Sequence, residues 1–143
     1  MKTLFRLMIV ALSLFAISCN NANYHLEHAL QLKDKIYELY DVDETPLLAE
    51  NYPQDAAAEA TYLAEGADNK VNKYSYLWPY SGTLSMMSAL YEATKDDEIL
   101  KVIDEQVIPG LKMYHDTTRT PYGYSSYITV DKSDRFYDDN IWL

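Results

Sequence analysis

A chain of 143 residues carrying a formal net charge of −10 has room for one domain behind a leader. That acidity disfavours nucleic acid and anionic membrane surfaces as partners and suits an uncharged ligand. The single cysteine excludes an internal disulfide, and 14 tyrosines supply many rings that either pack helices or floor a ligand site.

The first residues form an export signal. Met1–Arg6 is a short basic region, Leu7–Phe15 is an apolar run too short to span a bilayer, and Ala16-Ile-Ser-Cys19 follows. Small residues before a cysteine at the end of such a run resemble a bacterial lipobox. The resemblance implies cleavage of residues 1–18 and lipid attachment at Cys19, with Asn20–Asn23 as the tether. The membrane would then be met only through the acyl chains. The expected location is the outer membrane, on its periplasmic or cell-surface face.

From Tyr24 the apolar positions follow a helical period: Ala29, Leu32, Ile36, Leu39 and Tyr40 on one face, Glu27, Lys33, Asp34 and Glu38 on the other. This helix is expected to stop near Asp41–Asp43, ahead of Pro46. His25 and His28 lie in its first turn without a second set of ligands in the sequence, so no metal site is expected there. Residues 47–72 read as turns around a short Ala-rich segment and carry no chemistry.

Lys73-Tyr-Ser-Tyr-Leu-Trp-Pro-Tyr-Ser-Gly-Thr-Leu-Ser85 is denser in aromatic residues. Its reading is an aromatic loop over 74–82, a helix start near Ser81 and a helix to about Thr94, with Trp78 packed on the core and Tyr80 nearer a ligand. Asp96-Asp97 then opens a third long helix with Ile99, Ile103, Val107, Leu111 and Tyr114 on one face; here the acidic pair is assigned to capping. Pro109-Gly110 falls inside that run and is expected to kink it. A loop over 117–127 follows, punctuated by Pro121 and Gly123, and Ile128–Val130 is expected to add a brief extended piece.

The last eleven residues, Ser133 to Leu143, set Asp138 and Asp139 among Phe136, Tyr137, Ile141 and Trp142, with Arg135 upstream. Ser133 or Asp134 is a candidate cap, and Tyr137, Ile141 and Trp142 recur at helical spacing, which puts the acidic pair in the first turn of a fourth helix. Adjacent helical residues diverge by about 100°, so two such carboxyls can flank one bond. In retaining glycosidases, carboxyls about 5–5.5 Å apart act as nucleophile and as acid/base.

The string Phe136-Tyr-Asp-Asp-Asn-Ile-Trp-Leu143 resembles the Asp-Asp motif of glycoside hydrolase family 76, the endo-α-1,6-mannanase family, in its Bacteroidetes-type form. The string Leu77-Trp-Pro-Tyr-Ser-Gly82 resembles the family too, in a loop that borders the sugar cleft. The resemblance implies an all-α fold, an (α/α)6 toroid of antiparallel helical hairpins. It implies retaining hydrolysis of α-mannan or mannooligosaccharides without cofactor or metal, with Asp138 as nucleophile and Asp139 as acid/base. Trp78, Tyr80, Tyr122 and Tyr137 are the candidate sugar-binding rings. The helix start is expected to keep Asp138 ionised, and the neighbouring charge to raise the proton affinity of Asp139. Twelve helices at a mean of about 11 residues need roughly 130 residues before loops are counted. Residues 19–143 are therefore expected to form the N-terminal part of such a domain, inactive by themselves. The alternatives are a non-catalytic glycan-binding lipoprotein that uses the aromatic loops alone, and a helical-repeat interaction module, which lacks any internal repeat.

Overall fold

The computed structural model describes residues 23–54, 72–128, 133–141 and 143. Cys19, Trp142 and the Ala-rich segment lie outside the described residues, as does most of the extended piece expected at 128–130. The chain divides into two compact units, Met1–Asp34 and Lys35–Leu143, and is mainly helical.

Helix α1 covers residues 23–40. In the first unit Ala29 and Leu32, expected on the apolar face, are exposed, and Tyr24 lays its ring against those of His25 and His28, 5.5 and 4.3 Å away. Among the described residues no group of three His, Cys, Asp or Glu side chains converges as a metal site would require.

In the second unit α1 ends where Gln54 reaches back, its amide donating to the Asp41 carbonyl at 2.7 Å and so satisfying a C-terminal acceptor that the helix leaves open. Val42, Leu47, Leu48 and Ala49 then enter the core. Ala49 N–H donates to the Tyr40 carbonyl and Ser75 N–H to the Leu48 carbonyl, which ties this loop to the segment ahead of α2.

Helix α2, Leu77–Thr94, begins one turn earlier than the sequence suggests. Pro79 is no obstacle, because a first-turn residue has no intrahelical partner for its N–H anyway. The start is set from outside the helix: Leu77 N–H donates to the Ser126 carbonyl at 2.8 Å, and Tyr76 N–H to Glu50 Oε2 at 3.0 Å, while Tyr76 provides no side-chain cap. Most of the stretch expected as an aromatic loop is therefore helix. At the other end Lys95 takes the left-handed conformation (φ 55°) and its N–H bonds the Tyr91 carbonyl, a role more often filled by glycine.

Asp96 caps the next helix as expected, Oδ1 accepting from Glu98 N–H at 3.0 Å. That helix comes in three parts, α3 (Asp97–Val102), a π-helical stretch (Ile103–Val107) and α4 (Ile108–Met113). The expected kink at Pro109 is resolved as this π stretch just upstream. Pro109 has no N–H to offer and its ring would crowd the carbonyl of the preceding turn, and the wider winding, closed by Ile108 N–H on the Ile103 carbonyl, accommodates both.

The α3–π–α4 run returns along α2, and the core lies in this helical hairpin and the 42–49 loop. Leu47, Leu77, Tyr80, Met87, Val107 and Tyr114 are its largest fully buried side chains. Tyr80 and Tyr114 stack 5.6 Å apart and donate to the Pro46 and Ser75 carbonyls, at 2.7 and 2.6 Å. Burial pushes both phenols well above their ordinary pKa. Gly110 makes room for this, because Tyr80 lies over its Cα.

Past Tyr114 the chain forms a small antiparallel hairpin, β1 (His115–Asp116) with β2 (Gly123–Tyr124), in register His115 opposite Tyr124. The last described helix is α5, Tyr137–Ile141.

Candidate active site

Among the described residues, the hydrogen bonds that tie α5 to another element run to the hairpin. Asp116 opens its loop: Oδ1 accepts from Thr118 N–H at 2.7 Å and from the Thr118 hydroxyl at 2.6 Å. Its other oxygen, Oδ2, takes two guanidiniums, Arg119 at 2.7 Å and Arg135 at 2.6 Å. These four groups, led by the Thr118 hydroxyl and Arg135, hold the Asp116 carboxyl far below the usual carboxylate range.

Both arginines spend their remaining donors on backbone. Arg119 Nη2 reaches the Ser133 carbonyl at 2.6 Å. Arg135 reaches the carbonyls of Pro121, Asp116 and Arg119. Segments 116–121 and 133–135 are thereby joined by charge-assisted bonds around one carboxylate. Ser126 N–H, on the Asp134 carbonyl at 2.7 Å, adds a backbone link.

The segment expected to cap α5 is used in this network instead. Neither Ser133 nor Asp134 lies at the helix start, and the helix begins at Tyr137. Asp138 and Asp139 nevertheless fall in its first turn, as expected. Their settings differ. Asp138 is exposed and Asp139 is half-buried. Burial raises the Asp139 pKa first and the neighbouring Asp138 second, so desolvation outweighs the like-charge effect that the sequence suggested. The two neighbouring carboxyls thus differ in burial, and the more buried one holds its proton more tightly than an ordinary aspartate.

Asn140 follows the pair directly. Its Oδ1 accepts from Tyr124 N–H at 2.7 Å, and its Nδ2 donates to the Tyr124 and Phe136 carbonyls, both at 2.9 Å. One amide thus pairs with the β2 edge as a neighbouring strand would. Gly123 allows the approach: a Cβ there would meet Asn140 Oδ1 at 3.2 Å.

The candidate sugar-binding rings do not behave alike. Trp78 and Tyr80 exchange their expected places: Trp78 is 63% exposed on the first turn of α2, and Tyr80 is 2% exposed with its hydroxyl engaged by Pro46. Tyr80 is a core residue because the space above Gly110 receives it. Tyr122 and Tyr137 are 66% and 85% exposed. Tyr122 stands edge-on to His115, 6.5 Å away. Two hollows of about 270 and 710 Å³ lie elsewhere, the first lined by Ile36, Tyr40, Glu50, Pro79 and Met86, the second by residues of 41–46 and 98–109. Neither includes a residue of α5.

Sequence reasoning missed Asp116, Arg119 and Asn140 as parts of this site. Asn140 stands inside the motif string, and Arg135 enters the sequence reading only as the arginine upstream of the acidic pair. Asp116 has near partners in Thr118 and Arg119, but the one that ties it to the segment ahead of α5, Arg135, comes from 19 positions away. Comparison with protein-family models and with curated proteins found no match.

Proposed function

We propose that this chain contributes the acidic pair of a retaining glycoside hydrolase of the α-1,6-mannanase type, and that its helices are the opening hairpins of an (α/α)6 toroid. The observation that carries the reading is the unequal pair in the first turn of α5, Asp138 in water and Asp139 half-buried with raised proton affinity. The resemblance of Phe136–Leu143 and of Leu77–Gly82 to family 76 supplies the substrate class. The helical hairpin of α2 with α3–π–α4 is the unit from which such a ring is built. Asp138 then attacks the anomeric carbon, while Asp139 protonates the departing glycosidic oxygen and later takes a proton from water. Mannan or its oligosaccharides are the substrate, and Cys19 carries the lipid that keeps the protein at the cell envelope.

A second reading rests on the exposed rings. Trp78, Tyr122 and Tyr137 offer aromatic faces to water, as a glycan-binding lipoprotein without catalysis would. One experiment separates the two. In a ring-complete protein, with residues 19–143 joined to the remaining helices of a family 76 domain, α-1,6-mannan is cleaved, and Asp138→Ala and Asp139→Ala each lose about 10²–10⁴-fold or more in rate. Activated leaving groups partly rescue Asp139→Ala and not Asp138→Ala. Near-normal cleavage by Asp138→Ala overturns the catalytic assignment; oligosaccharide binding without cleavage selects the second reading.

A further inference from the structure

Helix α5 poses a physical problem. It has five residues and none of them is buried. Tyr137 and Ile141, which share a face at i and i+4, are 85% and 67% exposed, so among the described residues of α5 apolar burial does not hold the helix in place. A single turn is also far below the length at which a helix sustains itself in water. Yet Asp139 is half-buried, which requires that the turn be kept against its neighbours.

What keeps it there is polar and comes from both sides of the acidic pair. Ahead of it, Arg135 is fastened to the Asp116 carboxylate and to three carbonyls of the 116–121 loop. Behind it, Asn140 grips both backbone groups of Tyr124. We infer that Arg135 and Asn140 are positioning residues that clamp the first turn of α5 onto the His115–Tyr124 hairpin and so set where Asp138 and Asp139 point.

The residue types fit the task. The guanidinium fork can serve a carboxylate and several carbonyls at once, which a lysine ammonium cannot do in the same plane. A carboxamide accepts from an N–H with its oxygen while donating to a carbonyl with its nitrogen, so one side chain serves both backbone groups of a residue. An aspartate at 140 would lose both donated bonds and set its charge against the Tyr124 carbonyl. Neither residue touches a reacting atom in this scheme. They act through the two carboxylates, and the clamp rests on the catalytic reading only for its consequence, not for its existence.

The test therefore needs no substrate. In the isotopically labelled chain, the Asp139 carboxyl is titrated by carbon NMR in wild type, Asn140→Ala and Arg135→Lys. The rings of Tyr80 and Tyr114 serve as reporters of the core, and the Tyr124 amide as reporter of the clamp. The expected result is an elevated Asp139 midpoint in wild type that falls towards the ordinary aspartate value in both variants. In Asn140→Ala the Tyr124 amide also loses its exchange protection, and the core ring signals stay in place in both variants. An Asp139 midpoint that is unchanged by both substitutions overturns the clamp. So does loss of the core signals in both, since the residues would then be holding the whole fold. Failure of mannan cleavage leaves this result standing, and failure of the clamp leaves the cleavage test standing, so the two ideas fail separately.

Discussion

Alanine at Gly110 should destabilise the protein, against the usual sign for a helical glycine. Replacing glycine by alanine inside a helix ordinarily stabilises by about 0.5–1 kcal/mol, because the unfolded chain loses freedom. Here the added methyl would collide with Tyr80 Oη and lie 2.6 Å from Cζ and 3.0 Å from Cε1. Tyr80 can yield only by giving up contacts that it makes in the core. It is 2% exposed, stacked on Tyr114 and hydrogen-bonded to the Pro46 carbonyl. Overpacking of this kind costs about 1–3 kcal/mol. If the ring swings away, the Pro46 carbonyl loses its donor, which costs about 1–3 kcal/mol where that group stays dry. After the helix-propensity gain is subtracted, either cost alone leaves a net loss of about 0–2.5 kcal/mol, and the two together leave more. Gly82 is the control: it is an exposed helical glycine of α2 with nothing within 4 Å of an added Cβ. Urea unfolding followed by circular dichroism should place Gly82→Ala at or above the wild-type midpoint and Gly110→Ala clearly below it. The loss should shrink in a Tyr80→Phe background, where the nearest clashing atom is gone. Equal midpoints for Gly110→Ala and Gly82→Ala would refute the packing argument.

Asp96→Ala should cost about 0.5–2 kcal/mol through the lost bond to Glu98 N–H, read in the same urea assay, with no change in the Asp139 titration. Asp116 should contribute to acid sensitivity. Its folded pKa is depressed relative to the unfolded chain, so its stabilisation is complete above the ordinary aspartate value of about 3.9 and is lost as pH falls below it. Urea midpoints should therefore drop between neutral and acid pH in wild type and drop less in Asp116→Asn; parallel curves would remove the Asp116 network from the account. Palmitate labelling should mark the wild-type chain and not Cys19→Ala, and equal labelling would exclude acylation at that residue.

Much of the helical content was legible because it depends on local chemistry. The apolar period of 29–40 marks α1, and the stop expected near Asp41–Asp43 lies next to the observed end at residue 40. Asp96 could be read as a cap because it acts on an N–H two residues away. The place of Asp138 and Asp139 in a helix's first turn was also readable from the spacing of Tyr137 and Ile141, although both of these side chains are exposed.

What only the tertiary structure decided involves groups brought together from a distance. The start of α2 was misplaced by a turn because its first N–H groups are satisfied by Ser126 and Glu50, partners that no local pattern announces. Trp78 and Tyr80 are two residues apart and similar in kind, so the sequence could not say which would be buried. The answer came from Gly110, about thirty positions on, whose missing side chain leaves the space that Tyr80 fills. The hold on α5 was hidden for the same reason. Asp116, Arg119 and Arg135 look like ordinary loop charges until the hairpin sets them around one carboxylate oxygen. Periodicity and capping are properties of neighbouring residues and can be read along the chain. Burial, and the positions of Asp138 and Asp139 relative to the hairpin, depend on pairs that meet only once the chain has folded.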